Sequence, residues 1–184
     1  SVYLNNDNTM TIEIRIVEGE PYRFGNITFT GNTVYSSKEL SRQLGIKEND
    51  IFDQSVLDSR LFSDGSGNTN VSSLYLDDGY LFFNATPVEI AANDKKIDLE
   101  IRIFEGQQAR INKIKVTGNT KTNDHVIMRE LRTRPGDLFS QTDIQRSMRE
   151  LSQMQYFNPE AFDVKVEPDQ ARNSVDITYI VEEK

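Results

Sequence analysis

Apolar and polar positions follow two periods along this chain, and the same succession of periods occurs twice. Ile27 and Phe29 are two apart, as are Ile114 and Val116, which predicts a half-buried strand over residues 24–30 and again over 111–117. Gly31, Asn32 and Thr33 then supply a turn, and Ser36 with Glu39 three residues on forms a capping box ahead of Leu40 and Leu44, spaced as one helical face. In the second copy Asn123 and Asp124 are the cap candidates, with Ile127 and Leu131 as the apolar pair. After a turn at Asn49-Asp50 or Pro135-Gly136, a second helix is predicted from near Gln54 or Gln141, where Ile144, Met148 and Leu151 step by four and three. The last two segments are extended. Phe162, Val164 and Val166 alternate with charged residues, then Val175, Ile177, Tyr179 and Val181 alternate after a turn at 169–173. Residues 81–90 and 97–104 repeat this hairpin around Asn93-Asp94, and residues 2–4 with 11–17 read as the hairpin of a preceding unit.

The repeat is visible in identities as well as in period. Residues 11–19, Thr-Ile-Glu-Ile-Arg-Ile-Val-Glu-Gly, recur as residues 98–106, Asp-Leu-Glu-Ile-Arg-Ile-Phe-Glu-Gly, a shift of 87 positions. The same shift carries Ile-Thr-Phe-Thr-Gly-Asn-Thr at 27–33 onto Ile-Lys-Val-Thr-Gly-Asn-Thr at 114–120, and needs no gap from residue 10 to 61. Residues 74–80 match 151–157 at a shift of 77, so the first copy holds about ten extra residues near 62–71. The chain therefore divides into residues 1–19, the end of a preceding unit, and two tandem units at 20–106 and 107–184. Each is β-α-α-β-β. Strands with one apolar face need cover on that side only, and two short amphipathic helices provide it, so the class is α+β.

Charge narrows the function. With 29 acidic against 21 basic residues the net charge is -8, which opposes the counterion release that nucleic-acid binding depends on. The acidity is uneven: residues 20–106 hold 8 basic and 14 acidic side chains, and residues 107–184 hold 12 of each. There is no Cys, hence no disulfide, thiol nucleophile or thiolate metal site. No apolar run approaches the roughly 18 to 20 residues of a membrane helix, and residues 1–11 lack a signal-peptide pattern, so a soluble chain or an excised soluble part is expected.

Candidate catalytic chemistry is thin. His125, the single imidazole, has no second His or Cys to share a metal or build a triad and reads as an exposed helix-start residue. The Gly-Asn-Thr turns lack the Gly-Lys-Ser/Thr ending of a phosphate loop. The pairs Asp77-Asp78 and Glu182-Glu183 read as solvated charge, with nothing apolar to raise a pKa. Residues 63–70 place oxygen-bearing side chains at alternate positions, as calcium loops do, but Tyr75 stands where the closing Glu belongs, and a flexible loop is preferred. Glycosylation triplets at Asn26, Asn70 and Asn84 carry little weight. No cofactor, metal or small-molecule substrate is expected.

Taken in order, the Thr-Gly-Asn-Thr turn (117–120), the Arg-Glu-Leu run (129–131), Gly-Asp-Leu-Phe between the helices (136–139), Tyr156-Phe157 and the Glu105-Gly106 exit resemble POTRA domains. The two copies look most like the penultimate and last such domains of BamA-type outer-membrane β-barrel assembly factors. The resemblance implies a three-stranded mixed sheet per unit, covered on one face by two helices. It also implies a non-enzymatic periplasmic segment of a Gram-negative outer-membrane protein, with residues 107–184 next to a membrane barrel that this sequence lacks. The partners implied are unfolded outer-membrane proteins, accessory assembly lipoproteins and, through the barrel, the outer-membrane surface. One departure concerns docking: the family often has an acidic residue just before the inter-helix glycine of its last domain, and Pro135 stands there, so that lipoprotein contact does not carry over. The same unit also serves secretion transporters and division proteins, which makes a binding module for another client the alternative and an enzyme the remote one.

Two surfaces follow. If the third strand of each sheet is central, the second leaves an edge open to an extended peptide: Leu81, Phe82, Phe83, Asn84, Ala85 and Thr86 in one unit, and Ala161, Phe162, Asp163, Val164, Lys165, Val166 and Glu167 in the other. Pro87 and Pro168 limit pairing at the far ends. Arg129, Arg132, Arg134, Arg146 and Arg149 crowd the last unit's helices, with Arg129 and Arg132 expected on one helical face, and form a basic candidate surface for an acidic partner or anionic headgroups.

Overall fold

Each Gly-Asn-Thr turn ends a first strand that runs parallel to the third, and this crossover fixes both units. The computed structural model describes residues 2–4, 7, 9–16, 19–62 and 70–184. The chain opens with β1 (Val2–Leu4) paired antiparallel to β2 (Met10–Ile12). The strand expected over 11–17 is shorter. Ile14 and Ile16 lie outside it at 75% exposure, and among the described residues the sheet has only β1 and β2, while Val17 and the turn residues Asn5, Asn6 and Asn8 lie outside the described residues.

The first unit consists of β3 (Arg23–Thr30), α1 (Ser37–Leu44), α2 (Gln54–Leu61), α3 (Val71–Asp77), β4 (Asn84–Asn93) and β5 (Lys96–Phe104). The second consists of β6 (Arg110–Thr117), α4 (Asp124–Glu130), α5 (Gln141–Gln153), β7 (Asp163–Asp169) and β8 (Ser174–Ile180). The sheet orders are β3-β5-β4 and β6-β8-β7. In each the last strand is central, parallel to the first and antiparallel to the second.

Helix ends follow local chemistry. Ser36 and Glu39 cap α1 reciprocally, and Gly45 ends it in the left-handed region. Asn123 takes the cap position of α4 without a side-chain cap bond, and Asp124, the other cap candidate, is already the first helical residue. Among the described residues the first unit has three helices rather than the expected two: α2 ends at Leu61 and α3 starts at Val71, where the second unit has the single 13-residue α5. Phe62 leaves α2 in an extended conformation, and Asn70 starts α3 with its own capping box to Ser73. Residues 63–69, which carry the calcium-loop reading, lie outside the described residues.

Each sheet buries its helix-facing side. Phe24, Leu40, Leu44, Leu57, Leu61, Tyr75, Leu99 and Ile101 fill the first core, and Ile111, Ile127, Leu151, Phe157, Val175, Ile177 and Tyr179 fill the second. Leu76 and Leu81 of the first unit pack against the second core, so the two layers share apolar surface across the junction.

Candidate functional site

Gly31, at φ +83°, ends β3 so close to β5 that an added Cβ would lie 2.2 Å from the Ile103 carbonyl oxygen; Gly118, at φ +93°, repeats this 1.8 Å from the Val181 oxygen. These turns present successive N–H groups to one point, and each is filled from within the chain. The Glu105 carboxylate accepts from the Thr33 N–H at 2.8 Å, the Val34 N–H at 3.0 Å, the Tyr75 hydroxyl at 3.0 Å and the Thr33 hydroxyl. Glu183 accepts from Thr120 N and Oγ1 at 3.0 and 2.7 Å, Lys121 N at 2.7 Å and Thr122 N at 2.6 Å. Desolvation pushes the Glu183 carboxyl up, but the bonds from Thr120, Thr122 and Lys121 outweigh it and hold the pKa at about 2. Burial likewise pushes Glu105 up, and its donors from Thr33, Val34 and Tyr75 bring it below the usual value. The nest that resembles a phosphate loop thus already holds a carboxylate.

This corrects the reading of Glu182-Glu183 as solvated charge, because Glu183 is a structural acceptor. Its signal was present: Glu105 and Glu183 occupy the same repeat position, each behind a Gly-Asn-Thr turn. Asp77-Asp78 is corrected too. Asp78 accepts the Tyr35 hydroxyl. Asp77 reaches across the junction to accept from Ser140 Oγ at 3.3 Å, Thr142 N at 2.8 Å and Thr142 Oγ1 at 2.7 Å, at the start of α5. Beside it, Ala109 N donates to the Gly79 oxygen at 2.7 Å and Gln108 Nε2 to the Asp78 oxygen at 2.8 Å. The junction is both apolar and hydrogen-bonded.

The second strands lie at sheet edges. The residues assigned to those edges sit only partly on them: Leu81, Phe82 and Phe83 lie in the turns before β4, and Ala161 and Phe162 belong to and follow the short 3-10 turn Pro159–Ala161. Asn84, Ala85 and Thr86 are on β4; Asp163, Val164, Lys165, Val166 and Glu167 are on β7. The early residues are drawn inwards instead. Phe83 stacks on Tyr75 with ring centroids 4.2 Å apart, and Phe162 packs edge-on to Phe157 at 6.1 Å.

All five arginines are exposed, in a different arrangement from the one expected. Helix α4 stops at Glu130, so Arg132 and Arg134 lie in the following loop and share no helical face with Arg129. The loop is held in part by Arg132 N donating to Ser147 Oγ at 2.8 Å. Arg129, Arg132 and Arg134 line a cavity of about 370 Å³ together with Glu130, Leu131 and Glu150. Arg132 donates from Nε and Nη2 to Glu150 at 2.9 and 2.6 Å, Arg129 from Nε to Glu130 at 3.1 Å, and Arg146 lies 3.5 Å from Asp143. The surface is therefore basic but partly compensated. His125 is exposed in the first turn of α4.

A model of the family described as "POTRA: Surface antigen variable number repeat" matches residues 22–106 and 109–184. The chain belongs to the POTRA family. Among its relatives, the "Outer membrane protein assembly factor BamA" of Nitratidesulfovibrio vulgaris is 29% identical over 97% of this chain and 22% of its own length. The BamA of Neisseria meningitidis serogroup B is 28% identical over 88% of this chain and 20% of its own length. This POTRA chain thus spans about a fifth of the length of the curated relatives it matches. The crystal structure of Haemophilus influenzae BamA POTRA3-5 matches it with a TM-score of 0.74 at 21% identity, covering 100% of this chain and 70% of that one. Among the described residues no helix is long and apolar enough to cross a membrane, and no group of three or more His, Cys, Asp or Glu residues could hold a metal ion.

Proposed function

We propose that this tandem POTRA chain is a periplasmic, non-enzymatic segment of a Gram-negative outer-membrane protein assembly factor. It captures unfolded β-barrel precursors by strand-edge pairing and docks an acidic partner, an accessory lipoprotein surface, through the arginines of residues 107–184. The observation that carries this is the strand order. With the third strand central, β4 and β7 are both edges. An edge offers a row of backbone donors and acceptors that any extended chain can match, which suits clients with many different sequences. The BamA relatives supply the system in which such clients occur. We also assign residues 1–19 to the closing hairpin of a preceding unit. Ile12, Ile14 and Ile16 repeat Leu99, Ile101 and Ile103, yet are 63 to 75% exposed where those are at most 8%.

Titration of the isotope-labelled chain with peptides copied from outer-membrane barrel strands tests the proposal. Amide shifts are expected along one or both second strands, and shifts confined to the helices would overturn it.

A further inference from the structure

The two second-strand edges, β4 and β7, are not equivalent. We infer that client pairing is confined to β7, whose edge takes an extended segment alternating apolar and polar side chains; this rests on the strand-edge reading above. The central strands determine which backbone groups face outwards. In the first unit the Thr28 hydroxyl donates to the Leu99 carbonyl at 3.3 Å, so that carbonyl points to β3, and alternation turns Glu100, Arg102 and Phe104 towards β4. Their ladder partners are Val88, Thr86 and Asn84, which leaves Ala85, Pro87 and Glu89 directed at the open side. In the second unit Val181 N donates to the Thr117 oxygen at 2.9 Å, and the same alternation leaves Val164, Val166 and Pro168 facing outwards.

The outward row of β4 is blunted. Pro87 removes the donor between Ala85 and Glu89, and the register shifts between Glu89 and Ala91, with Ile90 as the extra residue of a bulge that bends the edge. The side chains accompanying that row are buried Ala85, half-buried Pro87 and exposed Glu89, a smaller apolar shelf than a pair of valines. β7 differs on each point. Val164 and Val166 are successive outward residues, no bulge interrupts the strand, and its proline comes only at Pro168. Val164 and Val166 are also half-buried at the margin of the second core, as are Phe162, Met148 and Met154. On the opposite face Lys165 and Glu167 form an exposed pair at 2.7 Å. A guest strand therefore meets methyl groups on one face and charge on the other. The Val164 N–H is held at 2.8 Å by the Asp163 carboxylate, an internal competitor that a guest must displace.

The test uses the whole 184-residue protein, isotope-labelled, and a ten-residue peptide alternating valine and threonine, read by amide shifts and by fluorescence anisotropy. Shifts are expected over residues 162–168. Val166→Pro places a proline at the same kind of outward position as Pro168 and is expected to weaken binding about tenfold, the equivalent of one hydrogen bond. Asp163→Ala, which frees the Val164 donor, is expected to tighten it by about threefold to tenfold. Shifts as large over 84–89 as over 162–168, or unchanged affinity in Val166→Pro, overturn the confinement to β7 while leaving strand-edge capture in place. Absence of shifts at both edges overturns strand-edge capture itself. If Val166→Pro does not fold, wild-type affinity in Asp163→Ala overturns the inference.

Discussion

Replacing Asp77 by alanine is expected to loosen the junction between the units without emptying either core. Its carboxylate takes one orphan donor of α5, the Thr142 N–H, and two hydroxyls, those of Ser140 and Thr142, from 63 and 65 residues away in sequence. A cap of this kind contributes about 0.5 to 2 kcal/mol, and the negative charge at a helix N-terminus adds about 0.3 to 1 kcal/mol. Asp77 is half-buried and Ser140 still caps Asp143 N, so we expect a cost of about 2 kcal/mol rather than the sum of the extremes. Asp77→Asn retains an acceptor and is expected to recover all but about 0.3 to 1 kcal/mol, the charge contribution. For a chain of this length about 2 kcal/mol corresponds to a melting temperature lower by roughly 4 to 8 °C in calorimetry. Residual dipolar couplings should show wider inter-unit motion at the same time. An Asp77→Ala protein within about 0.5 kcal/mol of wild type, or an asparagine variant no better than alanine, would refute the capping argument.

Glu183 links stability to pH. Its folded pKa, about 2, lies below the ordinary 4.5, so the clasp stabilises the fold above pH 4.5 and its contribution is lost as pH falls from 4.5 towards 2. Glu183→Gln should flatten the unfolding free energy over that window, with the Thr120, Lys121 and Thr122 amides as reporters; an unchanged slope would remove the role given to the clasp. Reversing Arg129, Arg132 and Arg134 to glutamate is expected to abolish salt-sensitive binding to an acidic partner protein or to anionic vesicles. A fold-intact triple variant that binds as wild type across a salt titration would show these arginines to be solvated surface only.

The sequence by itself determined the repeat, the order of elements and most of each core, because period and identity are local and occur twice: Leu40 and Leu44, or Ile127 and the Leu131 just past its helix, face inwards once the helices dock. It also supplied the family, through motifs whose order is one-dimensional. Only the tertiary structure decided what the short polar residues do. Glu183 and Asp77 read as solvated because their donors lie more than 60 residues away, and no periodicity reports a bond that depends on two chain segments meeting. The same holds for the arginines, since the stop of α4 at Glu130 is set partly by Ser147 of the next helix receiving the Arg132 N–H. The difference between the two edges is decided in three dimensions as well. Pro87 and Pro168 look alike in sequence, but the direction of the central-strand carbonyls puts one in the middle of an outward row and the other at its end.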